Sequence, residues 1–190
     1  MNIEGVLSHA RSLMQRVVRP GGNAIDGTVG NGNDTLFLAK LVGKNGRVFG
    51  FDIQQQAIQN TTSLLEENGV ADRVTLFQRG HETLTESLPQ ETHGKISGAM
   101  FNLGYLPGGD KTVVTQPETT IAAITQLLSV LEKGGVLCLV IYPGHEEGAL
   151  ERDHVLAFAK DLDQSKVHVL QYGFINQKNN PPFLLAFEKK

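Results

Sequence analysis

The stretch Ala24-Ile-Asp-Gly-Thr-Val-Gly-Asn-Gly-Asn-Asp-Thr35 decides the fold of this chain, together with Gly50-Phe-Asp-Ile-Gln54. In each stretch a short apolar run ends at an acid, and the first acid opens a glycine-rich turn that leads into an apolar helix. In an open α/β sheet, such a turn lets the backbone approach a ligand, and the acid after the next strand takes both ribose hydroxyls. The two stretches therefore predict a Rossmann-like domain that binds an adenosine-containing cofactor.

The glycine pattern separates two classes of cofactor. Dinucleotide-binding turns follow G-x-G-x-x-G, but Thr35 stands here in place of the third glycine. Asp34 lies at the start of the helix, where its carboxylate repels a phosphate and tolerates a cation. S-adenosylmethionine carries a sulfonium, an ammonium and a carboxylate and has no phosphate, so Asp26, Asp34 and the loop amides between them favour it over NAD. The alternative is that Asp34 simply caps its helix, which is compatible with ligand binding.

Length and composition indicate one soluble globular domain over residues 1–190, with an N-terminal helix (1–20) packed on it. Apolar residues make up 40% of the chain and charged residues 19%, and no apolar run is long enough to span a bilayer. Cys138 is the single cysteine and the N-terminus has no signal-peptide pattern, so we expect a reducing, cytoplasmic location and no membrane partner. The net charge of −3 argues against a broad nucleic-acid-binding surface.

Strands and helices alternate almost to the end, which predicts a doubly wound, mostly parallel α/β sheet with helices on both faces. The last two strands, joined by a polar loop, predict an antiparallel pair, so that the seven-stranded sheet has the pattern of class I methyltransferases. The predicted strands are 23–26, 47–52, 73–78, 97–102, 135–141, 166–173 and 183–188. The predicted helices are 4–18, 33–42, 54–68, 116–131 and a helix that Tyr142-Pro-Gly-His145 opens and that reaches about 160, with a partly helical stretch at 82–95.

Polar side chains stand at the carboxyl ends of five different predicted strands, where ligands bind in such sheets. They are Asp26, Asp52, His81, Asn102 and His145. The cofactor-binding residues predicted from position are Asp26, Gly30, Gly32, Asp34, Thr35, Asp52, Gln54, Gly80, His81 and Asn102. The alternatives are a solvated Gln54, a structural His81 and an Asn102 that only satisfies a turn.

Asn102-Leu-Gly-Tyr-Leu-Pro107 carries the predicted chemistry, because it follows strand four, where amine-methylating enzymes carry Asn/Asp-Pro-Pro-Tyr/Phe. It departs from that motif in that Leu103-Gly104 replace the two prolines. An amide oxygen there accepts a hydrogen bond from a substrate N–H and aims the nitrogen lone pair at the methyl carbon, while Tyr105 would stack on a flat base. Such positioning lowers a barrier by roughly 7–11 kcal/mol. Asp110 and His145 are the candidates for removing a proton from an ammonium. The catalytic prediction is thus Asn102, Tyr105, Asp110 and His145, with no metal, because no His/Cys/Asp cluster has ligand spacing.

Two further features have alternative interpretations. Asn180-Pro-Pro-Phe183 spells the amine-methylation motif, but it precedes the last strand, so we interpret it as part of a polar loop over the cleft. The arginines of the first helix (Arg11, Arg16 and Arg19) favour a solvated helix face, with a small substrate-binding patch as the alternative.

These motifs together resemble a bacterial family named "putative rRNA methylase". The resemblance rests on Asp26-x-Thr-x-Gly-x-Gly-x-Asp-Thr35, Asn102-Leu-Gly-Tyr-Leu-Pro-Gly-Gly-Asp110, Tyr142-Pro-Gly-His145 and Asn176-Gln-x-Asn-x-Pro-Pro182, and it covers the whole chain. It implies an S-adenosylmethionine-dependent methyltransferase in which Asn31, Asn33, Asp52, Gln54 and His81 contact the cofactor. It also implies methylation of the amine of 5-aminomethyl-2-thiouridine at the tRNA wobble position.

A wobble base is single-stranded and accessible, so stacking and edge contacts would recognise it without a large basic surface. The anticodon arm of tRNA is accordingly the expected partner, and a homodimer would enlarge the surface that grips it. Ribosomal RNA or a small amine as substrate, and a non-catalytic cofactor-binding subunit, are the alternatives.

Overall fold

In the computed structural model of the protein, the described residues form a sheet of seven strands in the order β3-β2-β1-β4-β5-β7-β6. The structure describes residues 2–104, 108, 114–144 and 146–190, the side chain of Glu146 excepted. The strands are β1 Asn23–Asp26, β2 Arg47–Phe51, β3 Val74–Phe77, β4 Ile96–Leu103, β5 Leu131–Ile141, β6 Val167–Tyr172 and β7 Phe183–Lys189. The helices are α1 Val6–Val17, α2 Asn33–Val42, α3 Gln55–Glu67, α4 Leu84–Ser87, α5 Pro117–Val130 and α6 Glu146–Asp161.

Strands β1 to β5 pair in parallel, and β7 runs antiparallel between β5 and β6. The mostly parallel seven-stranded sheet with an antiparallel C-terminal pair is thus confirmed. Because consecutive side chains of a strand point to opposite faces, each strand contributes to two separate cores. None of the helices in the described ranges combines the length and the apolar character needed to cross a membrane.

Alternate side chains of β4 point to opposite faces of the sheet, and each face packs against its own layer of helices. Phe101 and Leu103 lie in a core built with α4, α5 and α6. Met100 lies in the opposite core, built with α1, α2 and α3. Asn102 has the same parity as Met100, so its side chain emerges on the face that α1 and α2 cover. This parity determines which helices can reach the Asn102 amide.

Element bounds differ from the sequence-based ones by a residue or two, except at β5. That strand begins at Leu131, four residues before the predicted start at 135, because Leu131 pairs with Ile96 at the first position of β4. The pairing then shifts, so that Gly98 lies opposite Val136. The stretch at 82–95 contains only the short α4 and two turns of 3₁₀ helix.

Strands β1 and β4 are neighbours, and the chain leaves them on opposite sides, toward β2 and toward β5. A crevice opens beyond the carboxyl ends of the strands at such a point of reversal. Asp26 pairs with Met100 across β1 and β4, so β1 ends two residues before Asn102 in the register of β4. The loops that follow β1, β2 and β4 therefore meet at one crevice.

Candidate active site

Two cavities lie at this crevice and meet at Asn102. The first, of about 230 Å³, lies over the ends of β1 and β2 and reaches the start of α5. The second, of about 820 Å³, lies between α1, the start of α2 and the loop before β7. Both cavities are lined by Thr28, Gly30, Asn102 and Gly104. The Asn102 side chain therefore borders both cavities.

Asp52 lies at the floor of the first cavity, and both of its carboxylate oxygens accept hydrogen bonds from backbone N–H groups. Oδ2 accepts a hydrogen bond from the backbone N–H of Gly30 at 2.9 Å, and Oδ1 accepts one from the N–H of Gln54 at 2.9 Å. Each carboxylate oxygen has two acceptor positions, so each can still accept one hydroxyl. This arrangement suits a ribose, whose adjacent hydroxyls would donate to the two oxygens of the half-buried carboxylate.

The glycine-rich turn lies tightly between β1 and α3. Gly32 has φ +79°, and a Cβ built on it would come within 2.7 Å of Thr61 Oγ1 on α3. The Thr61 hydroxyl in turn donates to the carbonyl of Gly30 at 3.1 Å. A side chain at position 32 would meet both a backbone strain and a steric clash. Glycine at this position keeps the backbone of the turn at the mouth of the two cavities.

Asp26 lies beneath the turn and is completely buried. Its Oδ1 accepts the N–H of Thr28 at 3.1 Å, and its Oδ2 accepts the hydroxyl of Thr35 at 2.6 Å. Burial, and secondarily the nearby charge of Asp34, raises the pKa of Asp26 to about 7. Asp26 thus connects the end of β1, the turn and the first turn of α2 from below.

His81 lies at the wall of the first cavity, and a hydrogen bond to Gly27 shows which of its ring nitrogens carries the proton. Nδ1 is 3.1 Å from the carbonyl oxygen of Gly27, and a carbonyl only accepts, so Nδ1 carries the proton. Burial lowers the pKa of His81, which keeps the ring neutral. Nε2 is consequently an unprotonated acceptor, and it is buried with no hydrogen-bond partner in the described part of the chain. Such an atom fits an N–H donor such as an adenine amino group.

Asp34 connects α2 to α1 and to β4. Arg11 donates to Asp34 Oδ1 from Nε at 3.0 Å and from a terminal nitrogen at 2.7 Å. Asn102 donates from Nδ2 to Asp34 Oδ2 at 2.8 Å. The Asp34 side chain is only 10% exposed, and all three residues line the second cavity. Asp34 therefore makes tertiary contacts, and Arg11 belongs to the cavity wall rather than to a solvated helix face.

A buried carboxylate holds the loop between β4 and α5 at its two ends. The Thr115 hydroxyl accepts the N–H of Gly104 at 2.9 Å and donates to Glu151 Oε2 at 2.6 Å. The Thr120 hydroxyl donates to Glu151 Oε1 at 2.6 Å, and Glu151 is only 1% exposed. The backbone on either side of residues 105–113 is thus held next to Asn102 by α6.

The predicted site residues fall into four groups by their position. Residues that line the first cavity are Gly30, Asp52, Gln54, Gly80, His81 and Asn102. Those that line the second are Gly30, Asn31, Asn33, Asp34 and Asn102, with Asn180 and Pro182 from the loop before β7. In the described part of the chain, Asp26, Gly32 and Thr35 lie behind these walls rather than in them. The catalytic candidates Tyr105, Asp110 and His145 lie outside the described residues.

The structure adds wall residues that the sequence interpretation missed. Thr28 lines both cavities, and its hydroxyl accepts the backbone N–H of Asn102 at 2.7 Å. Ile53 lines the first cavity and is 56% exposed, which suits packing against an aromatic ring. The signal for Ile53 was present, because an apolar residue directly after a strand-ending acid lies outside the buried strand. No group of three His, Cys, Asp or Glu side chains that could hold a metal occurs among the described residues.

These residues fit a sulfonium nucleoside better than a dinucleotide. Asp52 can take a ribose, and Ile53 and His81 offer a face and an acceptor to an adenine. The carboxylate of Asp34 lies at the start of α2, the position at which a dinucleotide places its pyrophosphate. The fold and site therefore define a class I, S-adenosylmethionine-dependent methyltransferase, as the sequence predicted.

Residues 48–188 match the family described as "Putative rRNA methylase", and the chain belongs to this family. A "putative rRNA-methylase" from Clostridium thermocellum is 45% identical with a TM-score of 0.96, each chain being covered completely. A "putative methyltransferase" from Streptococcus mutans, solved in complex with SAH, is 39% identical with a TM-score of 0.89 over 99% of both chains.

One related protein has a named tRNA substrate. The chloroplastic tRNA (mnm(5)s(2)U34)-methyltransferase of Arabidopsis thaliana is 34% identical over 189 residues, which cover 95% of this chain and 68% of the relative. The family resemblance and the cofactor predicted from the sequence are thus confirmed.

Proposed function

We propose that this protein transfers a methyl group from S-adenosylmethionine to the amine of 5-aminomethyl-2-thiouridine at the tRNA wobble position, giving the 5-methylaminomethyl form. The observation that carries the proposal is the position of Asn102 in the wall that two cavities share. One cavity has the groups that suit a nucleoside, and the other is large enough for a nucleotide. The similarity to a relative named for this tRNA position supports the choice of substrate.

The cofactor would lie across the glycine-rich turn. Asp52 would bind the ribose, with Gln54 at the same end of the first cavity. His81 Nε2 would accept an adenine N–H, and Ile53 would pack on the ring. Backbone groups from Gly30 to Asn33 would face the amino-acid part, and Asp26, Gly32 and Thr35 would hold the turn in place from behind.

The bound S-adenosylmethionine supplies a methyl carbon made electrophilic by the sulfonium. The neutral substrate nitrogen uses its lone pair to form the N–C bond while the C–S bond breaks and its electron pair stays on sulfur. Before this attack an ammonium form of the nitrogen must lose one proton to a base, and after it the product nitrogen carries the positive charge as a secondary ammonium. Asn102 contributes by accepting an N–H of the substrate, which aims the lone pair along the line of displacement. Asp110 and His145 remain the predicted proton acceptors, and Tyr105 the predicted stacking residue.

The second cavity suits a base with a short aminomethyl arm. Its walls combine an apolar side chain, Leu7, with the Tyr142 ring and with the amide of Asn180 from the loop before β7. Such a mixture of aromatic, apolar and amide groups recognises an unstacked base by stacking and edge contacts. We therefore propose the anticodon arm of tRNA as partner. A homodimer and a cytoplasmic location stay predictions from the sequence.

The test is methyl transfer from labelled S-adenosylmethionine to bulk tRNA that lacks the terminal wobble methyl group. The tRNA is digested and its nucleosides are separated by mass. We expect label in 5-methylaminomethyl-2-thiouridine. Label in ribosomal RNA or in a small amine, with none in tRNA, would replace the proposed substrate. Tight cofactor binding without transfer to any of the three would indicate a non-catalytic subunit.

Asn102→Ala separates catalysis from cofactor binding in the same assay. We expect it to reduce turnover roughly 100-fold, the usual effect of removing one transition-state hydrogen bond, with little change in the affinity for S-adenosylhomocysteine. Asn45→Ala is the matched control, because Asn45 is exposed in the turn between α2 and β2. Normal turnover in Asn102→Ala would contradict the proposed role.

A further inference from the structure

The contact with Asp34 determines which way round the Asn102 side-chain amide lies. An asparagine side chain can present either its oxygen or its NH₂ group to a given partner. The Asp34 carboxylate can only accept, so the Asn102 Nδ2 at 2.8 Å must donate to it. The Asn102 oxygen is then the group that remains for a ligand, and an amine N–H needs an oxygen there.

Arg11 orients the Asp34 carboxylate. Two guanidinium N–H groups donate to the single oxygen Oδ1, so Oδ2 is the oxygen that faces β4. The three side chains come from α1, α2 and β4 and are held where the second cavity begins. From these contacts we propose that Asp34, oriented by Arg11, is a positioning residue that sets the polarity of the Asn102 amide toward the substrate amine. The proposal deepens the proposed amine methylation and rests on it.

Replacing Asp34 by asparagine gives a specific expectation, because the two side chains have the same shape. The guanidinium of Arg11 would hold the oxygen of the new amide, leaving its NH₂ group toward Asn102. Two donors would then face each other, so the Asn102 amide would turn over and present its own NH₂ group to the substrate. A substrate N–H would meet a donor instead of an acceptor, and we expect Asp34→Asn to lower kcat roughly 100-fold.

A second substitution restores the acceptor. In the double variant Asp34→Asn/Asn102→Asp, the amide at 34 donates to one carboxylate oxygen at 102, and the other oxygen faces the substrate. Asn102→Asp alone places two carboxylates in contact, which disfavours ionisation of both. We expect the double variant to exceed the kcat of each single variant at least about tenfold. A double variant no faster than Asp34→Asn would overturn the proposal.

Two measurements distinguish positioning from cofactor binding and from a structural role. By calorimetry, Asp34→Asn should bind S-adenosylhomocysteine within about threefold of the wild type, whereas a loss of tenfold or more would mean that Asp34 holds the cofactor. In NMR spectra, the Asn102 side-chain NH₂ protons, identified by their disappearance in Asn102→Asp, should exchange with water faster in Asp34→Asn. Equal exchange rates would overturn the proposal whatever the substrate is.

Asp153→Asn is the matched control. Asp153 also accepts from an arginine, Arg152 Nε at 2.8 Å, but its side chain is 63% exposed on α6. The same chemical change there should leave kcat, cofactor affinity and melting temperature unchanged. Failure of the wild-type protein on tRNA would contradict the proposed function. Transfer to tRNA without rescue in the double variant would contradict only the role of Asp34.

Discussion

Asp26→Asn should make the protein more stable above neutral pH, although it removes a buried and fully hydrogen-bonded group. The asparagine can keep both contacts, because its oxygen accepts from Thr28 N–H and its NH₂ group donates to the Thr35 hydroxyl. What it removes is the ionisation of Asp26, whose pKa rises from 3.8 to about 7 on folding because the group is buried.

The pH dependence follows from the direction of that pKa change. The folded protein binds the Asp26 proton more tightly than the unfolded chain, so the stability contributed by Asp26 is complete below pH 3.8 and is lost as pH rises to about 7. The full loss corresponds to about 4 kcal/mol, at about 1.4 kcal/mol per pH unit. Between about pH 5 and pH 8.5, the free energy of unfolding of Asp26→Asn should rise by roughly 3 kcal/mol relative to the wild type.

Urea unfolding followed by circular dichroism at several pH values measures this difference directly. The gap between variant and wild type should widen up to about pH 7 and then stay constant. Asp153→Asn is the control, because the hydrogen bond from Arg152 lowers the pKa of that exposed carboxyl, which is therefore ionised throughout this range. Parallel curves for Asp26→Asn and the wild type would refute the reasoning, since they would mean that Asp26 is ionised in the folded protein at pH 5.

Three further substitutions test the walls of the site. Gly27→Ala would bring a Cβ to 2.0 Å from the ring of Phe101, and we expect a loss of about 2–3 kcal/mol in the free energy of unfolding, measured in urea. Asp52→Asn would place an NH₂ group against a backbone N–H, and we expect cofactor affinity by calorimetry to fall roughly 10- to 100-fold. Thr115→Val would remove a donor from the buried Glu151, and we expect about 1–3 kcal/mol less stability together with a lower kcat.

For each of these substitutions, one result would contradict the expectation. An unchanged melting temperature in Gly27→Ala would mean that Phe101 has room to move. Cofactor affinity within twofold of the wild type in Asp52→Asn would remove Asp52 from the ribose site. For Thr115→Val the control is Thr125→Val on the exposed side of α5, and equal kcat values in the two variants would show that the loop anchor does not affect Asn102.

The strand ends were predictable because they follow from local patterns. A parallel strand ends where its apolar run stops, and all such ends lie on one edge of the sheet. Asp52, His81 and Asn102 could therefore be placed around one crevice without knowledge of the packing. Thr35 also departs from the dinucleotide pattern for a reason that the structure supplies: its hydroxyl bonds the buried Asp26, which a glycine could not do.

Contacts between layers were not predictable from those patterns. Arg11 and Asp34 are 23 residues apart, on helices whose relative rotation depends on how both pack on the sheet. The periodicity of α1 shows which face is apolar, but it does not identify the partner of an arginine at the edge of that face. From the sequence, Asp34 could equally be a helix cap, because the pattern does not show that Arg11 and Asn102 pack against it. The Thr115–Glu151 contact likewise depends on the packing of α6 against α5.

The packing of α1 has a consequence for the order in which the site forms during synthesis. This helix leaves the ribosome early, yet its apolar face lies in a core that includes residues of β5 and β7, and β7 is the last of the seven strands in the chain. At its start, His9 stacks on Tyr172 at 4.0 Å between ring centroids, and the Tyr172 hydroxyl donates to the carbonyl of Glu4. Since a growing chain can bury α1 completely only after these strands emerge, we expect the contact between Arg11 and Asp34 to become fixed late in folding. A nascent chain with β1 to β4 assembled would thus already have the walls of the first cavity that follow β1, β2 and β4, while the side of the second cavity that α1 supplies would still be open.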